Sequence, residues 1–247
     1  MTSATANIFS NPLLDYGSDP WTIDGTTFMY WGQWYSTRSG WAGDSNRQQN
    51  IYLCRMTNLW IAGNERIILS EPMLPWEQHN HNLDPASPRN RIFINEGPTA
   101  LIRDDRVFLV YPASGCWTDH YCLGMLTLAA NTDPMTPQSW TKSDRPILET
   151  SSENGVYAPS HNCFFQSPNG EDWLLYHASP EPGLGCGDKR TPRIANRSVA
   201  SRRHPRLWGS PCLKHGDDRS GHPNRASSRL RTHHRPLLHP AENCNQH

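Results

Sequence analysis

The chain has 247 residues, a formal net charge of zero and 36% hydrophobic residues, enough length and apolar content to bury a sizeable core. No run approaches the ~20 apolar residues of a membrane-crossing helix. The seven cysteines (54, 116, 122, 163, 186, 212 and 244) form no CxxC pair and no metal-ligand spacing, which excludes a cysteine-built zinc module.

The zero balance is a cancellation. Residues 1–195 carry 13 Lys/Arg and 20 Asp/Glu, a net of −7, whereas residues 196–247 carry 10 Lys/Arg and 3 Asp/Glu, a net of +7. We read the first part as one all-β domain and the second as a separate tail. The start, "MTSATANIFSNPLL", has neither a basic opening nor an apolar stretch, so no signal peptide is expected there. The cysteines read mainly as buried thiols, with Cys116 and Cys122 as a candidate pair.

In chain order, "NPLLDYGSDPW" is followed by three segments of one layout: "IDGTTFMYWGQWYSTRS" from Ile23, "NEGPTALIRDDRVFLVYPAS" from Asn95 and "APSHNCFFQSPNGEDWLLYHAS" from Ala158. Each has a polar residue, a short apolar strand, a turn and an aromatic-rich strand. Asp24, Glu96 and His161 open the three units, 72 and 65 residues apart. Between them lie further strand-like runs, "QNIYLCRM", "RIILS" and "YCLGMLTL". About four strands per unit is the content of one propeller blade. A sandwich or barrel with similar hairpins is the alternative. In a propeller the polar residue that opens each innermost strand faces the central axis, which would place Glu96 at a shared site.

With "GSDPW", "IDGTTF", "INEGP" and "GVYAPSHNCFFQSPNGEDWLLYHA" in view, the chain resembles the family 43 glycoside hydrolases, and among them the α-L-arabinofuranosidase-like members, from about Asn11 to Ile194. The resemblance implies a five-bladed β-propeller, with about three blades represented here, that hydrolyses arabinose- or xylose-containing oligo- and polysaccharides with inversion. It matches Glu96 to the general acid, Asp24 to the residue that modulates the acid's pKa, and Asp19 to the general base. His161 matches an axial histidine that contacts substrate or holds a hydrated metal ion, often calcium, and Arg190 matches a last-blade arginine that contacts the sugar. The chemistry is independently sound. Inversion needs a protonated carboxyl at the leaving oxygen and an ionised one holding water about 6.5–9.5 Å away, and a neighbouring carboxylate keeps the acid protonated. The same resemblance leaves a β-xylosidase, an arabinanase or an inactive carbohydrate-binding fragment as alternatives, and implies neither a membrane nor a nucleic-acid partner. Family members are often secreted.

Two departures stand out. Asp19 and Asp24 are five residues apart, a span of at most ~17 Å, where the family separates base and modulator by a whole blade or more. This predicts that the rest of the first blade and all of the second are missing, and that the chain as written has little hydrolase activity. In the tail, "RRHPRLWGSP" has a permitted codon set whose one-base shift reads Asp-Gly-Thr-Pro-Asp-Phe-Gly-Val-Pro, the turn the family expects there. Residues from about 196 to 247 are therefore expected to be a shifted-frame translation. Their 7 histidines and 9 arginines follow from that frame rather than from a nucleic-acid-binding arm, and they offer too little apolar surface to fold.

Overall fold

The structure is a computed structural model that describes residues 25–42, 47–58, 61–81, 86 and 92–196. Asp19, Asp24 and the tail after residue 196 lie outside the described residues. Twelve strands account for most of the described chain: β1 (Gly25–Tyr30), β2 (Gln33–Trp41), β3 (Gln48–Asn58), β4 (Ile61–Ser70), β5 (Phe93–Ile94), β6 (Thr99–Arg103), β7 (Arg106–Ala113), β8 (Cys122–Leu128), β9 (Trp140–Lys142), β10 (Tyr157–Gln166), β11 (Asp172–Ser179) and β12 (Thr191–Asn196). The helical elements among the described residues are three single 3-10 turns, at Pro75–Glu77, Pro137–Ser139 and Ser152–Asn154. The chain is all-β.

The strands form three antiparallel meanders, β1-β2-β3-β4, β6-β7-β8-β9 and β10-β11-β12. The three repeated segments of the sequence are the opening hairpins of these sheets. Two of the hairpins close in two residues with positive φ at both, Trp31 (50°) with Gly32 (74°) and Asp104 (51°) with Asp105 (56°), the geometry whose twist matches the flanking strands. Aspartate tolerates this left-handed conformation, which explains the "RDDR" turn. The first strands of neighbouring sheets lie side by side, β1 against β6 and β6 against β10.

The middle sheet is buried on both faces. On β7, Val107, Leu109, Tyr111 and Ala113 join Phe28, Tyr35, Ile51 and Leu53 in one core. The alternate residues Phe108 and Val110 join Leu148, Val156, Leu174 and Tyr176 in a second. Successive side chains of a strand point to opposite faces, so a strand packed on both sides reads as the unbroken apolar run "VFLVY". β1, by contrast, buries Phe28 and Tyr30 but leaves Met29 exposed.

The segment ahead of β6 stitches the first two sheets together. β5 pairs with the start of β3 in parallel, Gln48 opposite Phe93 and Gln49 opposite Ile94. Asn95 N donates to Gln49 O (3.0 Å), Glu96 N donates to Pro112 O (2.9 Å) and Ser114 N donates to Ile94 O (3.1 Å). Gly97 then turns the chain into β6 at φ +44°, a conformation that costs glycine little. The segment that carries Glu96 is thereby held between the backbones of the first two sheets, just ahead of β6.

Candidate active site

Glu96 is partly buried, and its Oε1 accepts a 2.5 Å hydrogen bond from the hydroxyl of Tyr121. Tyr121 is 1% exposed and its ring stacks on His177 at 6.1 Å between centroids. His177 is fully buried. Its Nε2 lies 2.7 Å from Nη1 of Arg190, itself 6% exposed. A guanidinium only donates, so this His177 nitrogen accepts and the ring proton sits on Nδ1.

His161 completes the group. Its ring lies 5.9 Å from that of His177, and a side chain at Gly97 would come within 4.0 Å of its Nε2. The register of β10 on β11 slips twice, between Tyr157 and Ser160 and again between Ser160 and Cys163. Ala158 and His161 both take φ of 49°. Bulges of this kind re-aim side chains and cluster at functional sites. The "APSHNC" motif is thus an irregular strand, with Pro159 inside it, that turns His161 towards Glu96.

The structure therefore gathers Glu96, His161 and Arg190 around two residues that sequence reasoning passed over, Tyr121 and His177. Both look like core aromatics in the sequence. The only hint was position: Tyr121 stands directly before β8, and His177 lies opposite Ser160 across the first bulge. A separate cavity of about 490 Å³ opens between the starts of β1 and β6 and the later parts of β2 and β10, lined by Gly25, Thr27, Thr37, Thr99 and Cys163 among others. It includes none of the five clustered residues, and Arg38 is the one charged residue among those lining it.

The expected Cys116–Cys122 pair does not form. Cys116 is bonded to Cys186, 70 residues away. Cys122 opens β8 with its side chain in the first core, its thiol 3.7 Å from Ala113 O and pushed well up in pKa by burial. The reason lies in the loops. Residues 114–121 and 180–190 face each other, with Asp119 accepting hydrogen bonds from Gly183 N at 2.8 and 3.0 Å. The disulfide thus ties the loop that ends in Tyr121 to the loop that ends in Arg190. Peptide mapping without reduction is expected to recover a fragment joining Cys116 to Cys186; a Cys116–Cys122 fragment would contradict the arrangement.

Behind Glu96 lies a second buried carboxylate. Glu77 is fully buried and accepts from Lys142 Nζ (2.8 and 3.0 Å), Tyr111 OH (3.0 Å), Asn95 Nδ2 (3.1 Å) and Leu74 N (2.9 Å). Burial lowers the Lys142 pKa despite the attraction of Glu77. Asn95, next to Glu96, also donates to Ser70 Oγ at 2.7 Å. Through Asn95 this cluster braces the segment that presents Glu96.

Burial raises the pKa of both Tyr111 and Tyr121 well above 10, and the adjacent carboxylates Glu77 and Glu96 add to the shift. A folded-state pKa raised above the unfolded value contributes stability that is fully present below about pH 10 and is lost as pH rises beyond it. Stability should hold steady around pH 7, begin to fall near pH 9 as the Cys122 thiol, also raised by burial, ionises in the unfolded chain, and fall further above about pH 10 by up to ~1.4 kcal/mol per pH unit for each tyrosine. Tyr111→Phe should flatten that slope; an equal slope in the variant would contradict the assignment.

Among the described residues no three His, Cys, Asp or Glu side chains stand together as a metal site. The group placed beside His161 is the His177 imidazole, a nitrogen base, whereas calcium takes six to eight oxygen ligands. These residues do not suit direct calcium coordination.

An all-β chain of antiparallel meanders, with a partly buried carboxyl ahead of β6 meeting two histidines of β10 and β11 and the arginine before β12, defines a candidate acid–base site. Residues 4–199 match the family described as glycosyl hydrolases family 43, to which the chain belongs. It is 35% identical over 167 residues to alpha-L-arabinofuranosidase B of Pyricularia oryzae, covering 65% of this chain and 31% of the relative. It is 35% identical over 162 residues to the extracellular exo-alpha-(1->5)-L-arabinofuranosidase of Streptomyces chartreusis, covering 65% of this chain and 45% of that protein. The alpha-L-arabinofuranosidase crystal structure from Lactobacillus brevis superposes with a TM-score of 0.65 at 26% identity, over 77% of this chain and 56% of that one. The chain thus spans less than half the length of the curated relatives it matches.

Proposed function

We propose that the protein is an α-L-arabinofuranosidase-like glycoside hydrolase that cleaves arabinose-containing plant polysaccharides with inversion, on a five-bladed β-propeller to which the three sheets contribute blades. The observation that carries this is Glu96, a partly buried carboxyl fixed by a backbone bond to β7 and by a buried tyrosine. Relatives from a fungus and a streptomycete that both bear the arabinofuranosidase name favour arabinosides over xylosides.

In this reading Glu96 protonates the glycosidic oxygen as the anomeric bond breaks, and a carboxylate on the opposite face takes a proton from the attacking water. Asp19 is the proposed base and Asp24 the group that holds Glu96 protonated. Arg190, positioned by His177, and His161 bind the sugar at the axis. An axial calcium ion would reach His161 only through water, and no step depends on it. The disulfide fits an oxidising compartment, and the Streptomyces relatives are named extracellular, so we place the protein outside the cell. The test is turnover of an aryl α-L-arabinofuranoside beside the matching β-D-xyloside, measured on a parent protein in which the chain is extended to the length of its relatives, since the chain as written is expected to show little activity. Preference for the arabinoside supports the reading; preference for the xyloside, or turnover of neither, counts against it.

A further inference from the structure

We propose that Tyr121 is a positioning residue for acid catalysis: its phenol holds Oε1 of Glu96, so that the transferable proton is carried on Oε2 and aimed at the leaving oxygen. The inference rests on Glu96 being the general acid and adds which of its oxygens does the work.

The geometry is specific. The Tyr121 hydroxyl donates to Oε1 at 2.5 Å, the short end of the range for a hydroxyl on a carboxylate. Tyr121 has little freedom to do otherwise. Its ring is buried and stacked on His177, His177 is held by Arg190, and the loop carrying it is tied by the Cys116–Cys186 bond and by Asp119. A phenol kept protonated by burial remains a donor throughout the working pH range.

The chemical consequence follows from the two oxygens of a carboxyl group. The oxygen that accepts the Tyr121 proton is the carbonyl-type oxygen, because a second proton there would collide with the first. The acid proton therefore resides on Oε2. As the O–H bond of Glu96 breaks and the proton passes to the glycosidic oxygen, negative charge grows over both carboxyl oxygens, and the hydrogen bond to Oε1 strengthens. A donor already in place when that charge develops favours the transition state over the ground state.

Two measurements test this, one of them independent of turnover. With glutamate labelled at the carboxyl carbon, the Glu96 signal is assigned by its loss in Glu96→Gln, and its titration is compared in the parent protein and Tyr121→Phe. Removing a donor to the ionised form should move the midpoint up by about one pH unit; an unmoved midpoint overturns the proposal. In the second measurement, Tyr121→Phe should shift the alkaline limb of kcat/KM upward by the same amount and lower kcat roughly tenfold on substrates with poor leaving groups. A moved carboxyl midpoint with an unmoved alkaline limb would leave Tyr121 on Glu96 but overturn Glu96 as the acid. If Tyr121→Phe does not fold, the parent protein labelled at the tyrosine ring carbon bearing oxygen serves instead. One tyrosine signal should then follow the Glu96 titration and lose that response in Glu96→Gln, and the absence of any such signal overturns the proposal.

Discussion

Glu96→Gln is expected to lower kcat on arabinan-derived oligosaccharides by ~10²–10⁴-fold, the usual worth of a positioned acid, with a much smaller change in KM. The amide keeps the size of the carboxyl and can still accept from Tyr121, so the fold and the sugar contacts proposed for His161 and Arg190 should persist. What is lost is the proton. An alkoxide leaving group of high pKa cannot depart unprotonated at a useful rate, so the loss falls on kcat, as for an interaction made in the transition state. A change in KM alone would assign Glu96 to binding.

Replacing Glu77 by alanine is expected to destabilise the protein by ~3–5 kcal/mol, because removing one member of a buried ion pair leaves the other charge without compensation. Four donors converge on Glu77 from the turn before it, from Asn95, from β7 and from β9. The substitution therefore loosens both of the first two sheets at once. Lys142→Ala should cost a comparable amount, since it strands the fully buried carboxylate. A double substitution, Glu77→Leu with Lys142→Leu, should recover only part of the loss, because it removes both charges but takes the shared acceptor from Tyr111 OH, Asn95 Nδ2 and Leu74 N. Chemical denaturation of the three variants checks this. Single variants that each lose less than ~1 kcal/mol would show that the pair is solvated. Glu77→Ala should also lower kcat at temperatures where it remains folded, since Asn95 loses its anchor beside Glu96.

The sequence made some of this legible and hid the rest for physical reasons. The opening hairpins of the three sheets could be read from alternation and turn chemistry, as at "TALIRDDRVFLVY", and the residues opening their innermost strands followed from the repeat. Glu96 and His161 were found in that way. The two-sided burial of β7 was visible only as a missing alternation, which a strand covered on one side would also show if its outer face were apolar. Tyr121 and His177 were hidden because a buried aromatic that holds a polar side chain at a site has the same local pattern as one that fills a core. The bulges of β10 were hidden because Ala158 and His161 are not residues that advertise a left-handed backbone. The Cys116–Cys186 bond depends on two loops meeting across 70 residues of chain, and nothing local to "GCWTDHYC" distinguishes that partner from Cys122. Nothing in the sequence marks Glu77, because a carboxylate's burial is decided by the distant groups that close over it.

The most direct test of the central claim is the dependence of kcat/KM on leaving-group pKa across a series of aryl and alkyl α-L-arabinofuranosides, measured for the parent protein and for Glu96→Gln. If Glu96 delivers the proton, the parent should show a shallow dependence. Glu96→Gln should show a steep one, with near-parental rates on a dinitrophenyl substrate that needs no protonation and losses growing towards ~10⁴-fold on alkyl glycosides. Parallel lines, with Glu96→Gln impaired equally for every leaving group, would contradict the assignment of Glu96 as the acid.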